Sequence, residues 1–263
     1  MKELSPQYIE ILGADGGLSH NARPSTFKIG KSILIDAGNA IEPLGGNTDE
    51  IEYIFLTHSH FDHIKDIPFL IESTIETRRK PLVIYAHPET NKALREHIFN
   101  NIIWPEFHKI KLPATHELAL NFIDIYPNKL YKINGIIIKP FEANHTVPAY
   151  GFIIDIQTNR YILSGDTHSN PVLNDVLTNN KQVKTLIFEA SFPNKYNHLA
   201  KLTKHLTPVL IEKQLKDIEH KIDLYTYHAK TNHKQLIEQE MTTLFKHSNN
   251  VTYKGFIEEG QHI

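Results

Sequence analysis

The chain predicts an α/β fold. Short apolar, β-branched runs recur along it, helix-periodic stretches lie between them, and each strong polar cluster follows the end of a strand-like run. The runs, in order, are residues 8–13, 32–37, 51–56, 82–86, 121–126, 135–139, 151–157, 160–164, 185–189 and 222–227. They are edged by Gly, Pro, Asn or Asp, the residues that supply turns. A helix is predicted over 61–77, where Ile64, Ile67, Phe69, Leu70, Ile71 and Ile75 recur at helical spacing. A second covers 90–101, with Leu94, Ile98 and Ile102 in phase. Thr207-Pro208 opens a third that runs to about residue 220, with Thr207 as N-cap and Pro208 at the first position. Residues 233–247 form a fourth, capped by Thr231 or Asn232. No long linker, low-complexity tract or internal repeat interrupts the pattern, so one domain over 1–263 is the simplest organisation.

Composition narrows the function. An apolar fraction of 40% in 263 residues is enough for a substantial core. The 28 Lys and Arg balance 30 Asp and Glu, for a formal net charge of −2, so nothing pulls the chain generally towards nucleic acid or anionic membrane. No cysteine is present, which excludes disulfides and thiolate ligands and leaves His, Asp or Glu to hold any metal. Residues 1–6 show neither an apolar core nor a cleavage site of a signal peptide, and no apolar run reaches membrane-spanning length. A soluble, cytoplasmic protein without a membrane partner is the expectation.

Residues 58–63 read His-Ser-His-Phe-Asp-His, directly after the apolar run 54–57. Histidine is common here, 17 residues in all, so clusters arise more easily than usual; this ordered pattern at a strand end still points to metal. Imidazole nitrogen and carboxylate oxygen suit zinc and its first-row neighbours. In an extended segment His58 and His60 point to the same side and can share one metal, while Asp62 and His63, beyond the turn, can hold a second. Asn144-His145, Gly165-Asp166-Thr167, Glu189 and His228 each end or follow a later run. Position after a strand selects His145, Asp166 and His228 as further candidate ligands, with His168 and His233 as alternatives of register. His198, His220, His247 and His262 read as solvated.

These pieces, in this order, resemble the metallo-β-lactamase-fold hydrolases, with Ile35-Asp36-Ala37-Gly38 similar to the early turn that buttresses their metal loop. The resemblance implies a four-layer αββα sandwich with two divalent metals at its edge, zinc foremost and manganese or iron as alternatives. His58, His60 and His145 would hold one metal, and Asp62, His63 and His228 the other, with Asp166 bridging. More narrowly, the chain resembles the class II cyclic-nucleotide phosphodiesterases. Residues 12–18 are similar to their Gly-rich opening, and Phe99-Asn100-Asn101-Ile102-Ile103-Trp104-Pro105 to their Trp-Pro segment. Glu189-Ala190-Ser191-Phe192-Pro193-Asn194 and His205-Leu206-Thr207-Pro208 resemble their most discriminating blocks. Departures fall at Phe61, Asp66 and Ser73-Thr74, on the helix flank rather than among ligands.

The resemblance implies hydrolysis of a nucleoside 3′,5′-cyclic phosphate, cAMP foremost, to the 5′-monophosphate by a metal-bridging hydroxide. Asp62 would orient that nucleophile or take its proton. His205 is the candidate acid and Glu189 its partner, as in the similar transfer-RNA 3′-processing endonucleases; the alternative for His205 is a helix-start histidine facing solvent, and for Glu189 a structural strand-end carboxylate. Trp104, Phe107, Tyr150 and Phe192 are candidates for an aromatic platform under a purine or for core packing. Asn144 either contacts phosphate or caps a turn, and Lys195, Lys201 and Lys204 form either a lid or a solvated loop. The expected partner is a small cyclic nucleotide rather than a stably bound nucleic acid, and the resemblance is compatible with a homodimer. An RNA 3′-processing endonuclease and a non-catalytic nucleotide-binding protein are the competing functions. The endonuclease is disfavoured because no Lys/Arg- and Gly-rich insertion of the kind that grips transfer RNA is present.

Overall fold

Two sheets organise the computed structural model, which describes residues 8–263; the stretch 1–6, read above for a leader signal, lies outside them. Each sheet belongs to its own compact unit. The first unit holds Arg23–Ile125 with Glu259–Ile263 and the first strand, and the second holds Tyr126–Glu258 with Ala14–Ala22.

In the first unit the strands run in spatial order β1 (Ile9–Gly13), β2 (Thr26–Ile29), β3 (Ile33–Ile35), β4 (Tyr53–Phe55), β5 (Leu82–Ala86) and β6 (Leu120–Asp124). β1 to β3 pair antiparallel and β3 to β6 pair parallel. The second unit contains β7 (Tyr131–Ile133), β8 (Ile136–Ala143), β9 (Ala149–Ile156), β10 (Asn159–Leu163), β11 (Thr185–Glu189), β12 (Ile222–Tyr227) and β13 (Val251–Phe256). There β7 to β10 pair antiparallel and β10 to β13 parallel. Both sheets thus change from antiparallel to parallel pairing, and in both the parallel strands end their loops at one sheet edge, which is where ligands gather in α/β proteins.

Every predicted strand is present, with ends shifted by a few residues. β2, β7 and β13 were not predicted. β7 and β13 are edge strands, where exposed Lys132, Thr252 and Lys254 break the apolar signal and discourage edge pairing. β2 is only four residues long and carries Lys28, whose ammonium meets Glu10 at 3.2 Å.

The helices depart further from expectation than the strands. The predicted 61–77 helix is two short ones, Phe61–Ile64 and Ile67–Glu72. The break falls at Asp66, which is buried and turned inward, so that its Oδ2 accepts the amides of Ala40 at 2.6 Å and Ile41 at 3.1 Å. Pro68 then opens the second helix. Thr74 lies beyond it, its hydroxyl donating to the Leu70 carbonyl at 2.7 Å and accepting from Arg78 Nε at 3.0 Å. The 90–101 helix begins earlier, at Pro88, and closes in the wider turn Leu94–Ile98. The helix after Thr207 spans Pro208–Leu215 and stops short of residue 220; Thr207 caps it with its carbonyl, which accepts from Leu210 and Ile211, and not with its hydroxyl. The last helix is Lys234–Phe245, with His233 rather than Thr231 or Asn232 at the cap. Helices Pro171–Asn179 and Asn197–Thr203 have no counterpart among the predicted elements; the second contains Lys201, one of the lysines expected in a lid or a solvated loop.

Each unit has its own core. Leu34, Ile54, Leu56, Ile67, Ile84 and Leu120 are among the buried side chains of the first. Ile162, Leu186, Phe188, Leu206, Ile211 and Leu224 are among those of the second. Burial of such side chains stabilises by roughly 1.5–3 kcal/mol each, and here it fixes the strand ends from which the polar clusters emerge. Among the described residues no helix is long and apolar enough to cross a membrane.

Candidate functional site

In the first unit, β3 and β4 deliver the histidine-rich loop. The chain leaves β3 through Asp36, a non-glycine residue at φ 59°, and its carboxylate turns onto the loop after β4. Asp36 Oδ1 accepts the Thr57 amide at 2.8 Å, and Oδ2 accepts the Thr57 hydroxyl at 2.8 Å and His63 Nδ1–H at 2.7 Å. With Nδ1 committed as donor, His63 presents the lone pair of Nε2. The Thr57 oxygen, its proton given to Asp36, lies 3.0 Å from His58 Nδ1 and can orient that ring in the same sense. Burial raises the Asp36 pKa above the usual carboxylate value, against the opposing pull of His63 and the Thr57 bonds. His58 and His63 are buried, and their rings lie 4.2 Å apart, with His60 4.5 Å from His58. Asp62 is half-buried at the start of the following helix. Gly38 allows this closeness, because an added Cβ would sit 1.9 Å from the Asp62 carbonyl oxygen. The predicted buttressing turn and His-rich loop are therefore brought together within this unit.

The second unit gathers the later candidates on the ends of β8, β10, β11 and β12. His145 follows β8, Asp166 follows β10, Glu189 ends β11 and His228 follows β12 at φ 65°. All are buried, as is His205. Ligand atoms of His145, Asp166 and His205 lie within 4.8 Å of one another, and so do those of Glu189, His205 and His228. His228 Nε2 stands 3.2 Å from Asp166 Oδ2. His145 Nδ1 donates to the Lys204 carbonyl at 3.1 Å, leaving its Nε2 lone pair for a ligand. Burial lowers the His145 pKa despite nearby Asp166, so the neutral, metal-binding form is favoured. Lys204 adopts φ 53° and its ammonium reaches back to the His145 carbonyl at 2.8 Å, so it is tied to the cluster rather than solvated.

Glu189 and His205 form a pair. Glu189 Oε1 accepts His205 Nδ1–H at 2.9 Å, together with the amides of Thr167 and Leu206; Oε2 accepts the amide and hydroxyl of Ser191. This many donors suit a carboxylate. Burial opposes a charged His205, but the charge and hydrogen bond of Glu189, joined by Asp166, outweigh it and lift the His205 pKa above the ordinary value. His205 is therefore a buried imidazole held by a carboxylate, not a solvent-facing helix start.

The donor set fits divalent metal ions. The tautomers of His63 and His145 are fixed by bonds from Nδ1, leaving Nε2 for metal, and carboxylate oxygen is close by in each unit, from half-buried Asp62 in the first and buried Asp166 in the second. Of the alternatives of register, His168 and His233 stand in none of the three-ligand groups found within the second unit. His168 is half-buried with its pKa lowered by burial, and His233 packs against Phe192 and Tyr196. Two histidines read as solvated are engaged: His220 Nε2 lies 3.0 Å from the Val183 carbonyl, and His262 stacks on Tyr8 at 4.0 Å.

The aromatic candidates divide. Phe107 and Tyr150 are buried, which favours packing. Trp104 packs on the first unit's core with its ring edge-on to Phe69 at 5.2 Å. Phe192 is buried as well, with its ring centroid 5.9 Å from that of His205. Asn144 closes its loop, with its amide nitrogen donating to Thr167 Oγ1 at 2.9 Å and its Nδ2 to the Ser169 carbonyl at 3.1 Å. Sequence reasoning missed Thr57, Ser191 and Lys204 as supports; each adjoins a candidate or lies two residues from one, which was the available signal.

Comparison with known proteins identifies the family and the fold. The profile of the beta-lactamase superfamily domain matches residues 31–228. Ribonuclease Z of Lachnoclostridium phytofermentans is 32% identical over 139 residues, 51% of this chain and 42% of that protein. Ribonuclease Z of Methanococcus maripaludis is 31% identical over 155 residues, 55% of this chain and 47% of that protein. The matches thus span less than half the length of these relatives. The solved structure of unliganded yeast PDE1 superposes with a TM-score of 0.79 at 18% identity, covering 97% of this chain and 98% of that one. That of human tRNase Z, short form, reaches 0.68 at 20% identity, with coverage of 97% and 98%. At such identities the likeness establishes the fold.

Proposed function

The chain belongs to the beta-lactamase superfamily, and on that footing we propose that it is a metal-dependent phosphodiesterase that opens nucleoside 3′,5′-cyclic phosphates, cAMP foremost, to 5′-monophosphates. The observation that carries the reading is the buried Glu189–His205 pair, joined at 2.9 Å beside candidate ligands. Ring opening expels a ribose oxygen, which leaves poorly as an alkoxide and well when protonated. His205 gives that proton from Nε2, while Glu189 holds Nδ1–H and steadies the imidazolium.

His58, His60 and His145 would hold one metal and Asp62, His63 and His228 the other, with Asp166 a candidate ligand for both, and residues 1–263 would act as one hydrolase domain. Zinc is the first choice, and manganese and iron suit the same donors. When bound, the metals supply an activated water and neutralise charge on the phosphoryl group. Asp62 orients the attacking water in line with the leaving oxygen and accepts its proton. Phe192, Asn144 and Trp104 are the candidate substrate contacts. The Glu189–Phe192 and His205–Pro208 blocks, and the fold likeness to yeast PDE1, support the cyclic-nucleotide reading. A second reading, endonucleolytic processing of RNA 3′ ends, is favoured by the curated relatives, which are named ribonuclease Z.

The test is turnover of 3′,5′-cAMP by metal-replete protein, with 5′-AMP and 3′-AMP separated. Formation of 5′-AMP, abolished by chelator and restored by metal, is expected. No turnover, but cleavage of a transfer-RNA precursor at its 3′ end, would select the second reading. Tight nucleotide binding without turnover of either substrate would select a binding protein.

A further inference from the structure

Ser191 takes no part in the chemistry above, yet it is fully buried where two strand ends meet. β11 and β12 are parallel, and their register pairs Glu189 with Tyr227. Ser191, two residues past Glu189, and His228, one past Tyr227, are therefore brought side by side. The Ala190 amide bonds to the Tyr227 carbonyl at 2.9 Å and the Lys230 amide to the Ser191 carbonyl at 3.1 Å, which holds the two loops in place.

The Ser191 hydroxyl then meets four polar groups. Its oxygen lies 2.9 Å from Glu189 Oε2, 3.1 Å from His228 Nδ1 and 3.1 Å from His205 Nδ1. The His228 carbonyl stands at 3.1 Å as a second acceptor. A hydroxyl has one proton to give and two lone pairs to offer. His205 Nδ1–H is directed to Glu189 at the shorter distance of 2.9 Å. When His228 binds metal through Nε2, its Nδ1 must carry the proton, and the Ser191 oxygen at 3.1 Å is placed to accept it. The serine proton then goes to Glu189 Oε2 or to the His228 carbonyl. Gly16 completes the fit, because a Cβ there would stand 2.9 Å from His228 Nδ1 and 2.5 Å from the His228 carbonyl oxygen.

We propose that Ser191 is a positioning residue: its hydroxyl holds the metal ligand His228 in the Nδ1–H form and links that ligand to the Glu189–His205 pair. It serves His228 as Asp36 serves His63. The inference rests on the metal-dependent reading above, but its test does not use catalysis.

Zinc affinity is measured by chelator competition on the full-length parent, Ser191→Ala and Ser191→Thr. Support for an outer hydrogen bond to a metal-ligating imidazole is worth about 10–100-fold in affinity. Ser191→Ala is therefore expected to weaken zinc at one site by about that factor, with Ser191→Thr, which keeps the hydroxyl, close to the parent. Parent-like affinity in Ser191→Ala would overturn the proposal, and so would equal weakening in both variants, because volume rather than the hydroxyl would then matter. Nitrogen-15 NMR of the zinc-loaded parent needs no variant to fold. A protonated His228 Nδ1 shielded from solvent exchange is expected, and rapid exchange of that proton with solvent would also overturn the assignment. Failure to hydrolyse cyclic nucleotides would leave these readouts intact and would count against the proposed function alone.

Discussion

Single side chains set the tautomers of the candidate ligands. Asp36 holds His63 at 2.7 Å and Thr57 at 2.8 Å through both its amide and its hydroxyl, so one carboxylate steadies the whole histidine-rich loop. Replacing Asp36 with Ala is expected to weaken metal binding by about 10–100-fold, as loss of such an outer partner does. Equilibrium dialysis against zinc checks this, and unchanged affinity would show that His63 needs no partner. His205→Ala should retain metal while slowing cAMP by about 10²–10⁴-fold, the usual contribution of a general acid. A nitrophenyl phosphodiester, whose leaving group needs no proton, should slow much less; equal losses would argue against the acid role. The His205 pKa is raised, because Glu189 and Asp166 overcome burial. The active, protonated form is thus populated at low pH and lost as pH rises through that raised value, and so is the stability that the pair contributes. The cAMP rate should fall along this limb, and the limb should be absent from the rate profile of the nitrophenyl substrate. His145 runs the other way: burial lowers its pKa, so its neutral form is favoured and acid works against it.

At the scale of elements, short parallel strands and tight loops matter more than helices. The break between Phe61–Ile64 and Ile67–Glu72 lets Asp66 cap the amides of Ala40 and Ile41, on the turn that follows Asp36. Asp66 stands where the resembled family has a small residue, and here its role is structural. Asp66→Ala leaves two amides without their acceptor, and a buried unsatisfied group costs about 1–3 kcal/mol. Urea unfolding of the metal-free protein should show a loss in that range, and no change would mean that water replaces the carboxylate freely. In the other unit, Gly165 adopts φ 61° and packs where a Cβ would stand 2.3 Å from the Tyr150 carbonyl oxygen. That close approach aims the next residue, Asp166, out of β10.

At the scale of the whole molecule, the near-balanced charge, −2 overall, separates the two catalytic readings. A protein that grips RNA through many phosphates loses roughly 10³–10⁵ in affinity between 50 and 200 mM salt. The KM for cAMP should change far less over the same range, and a steep rise in KM would favour a polyanionic substrate. The α/β class, the strands that carry candidates and the histidine-rich loop could all be read from the chain, because apolar runs and ligand spacing are local properties. His145, Asp166, Glu189 and His228 could be picked out as candidates in the same way, Glu189 as the last residue of a strand and the others by a strand ending just before them. The supporting contacts of Asp36 and Glu189 follow from the family resemblance and not from local pattern. Asp36 reaches His63 across 27 positions and Glu189 reaches His205 across 16, and only strand register and loop closure decide such pairs. The split of the first helix likewise depends on an acceptor that amides from another loop find in Asp66. Local pattern names the donors and acceptors; packing of distant segments chooses which of them meet.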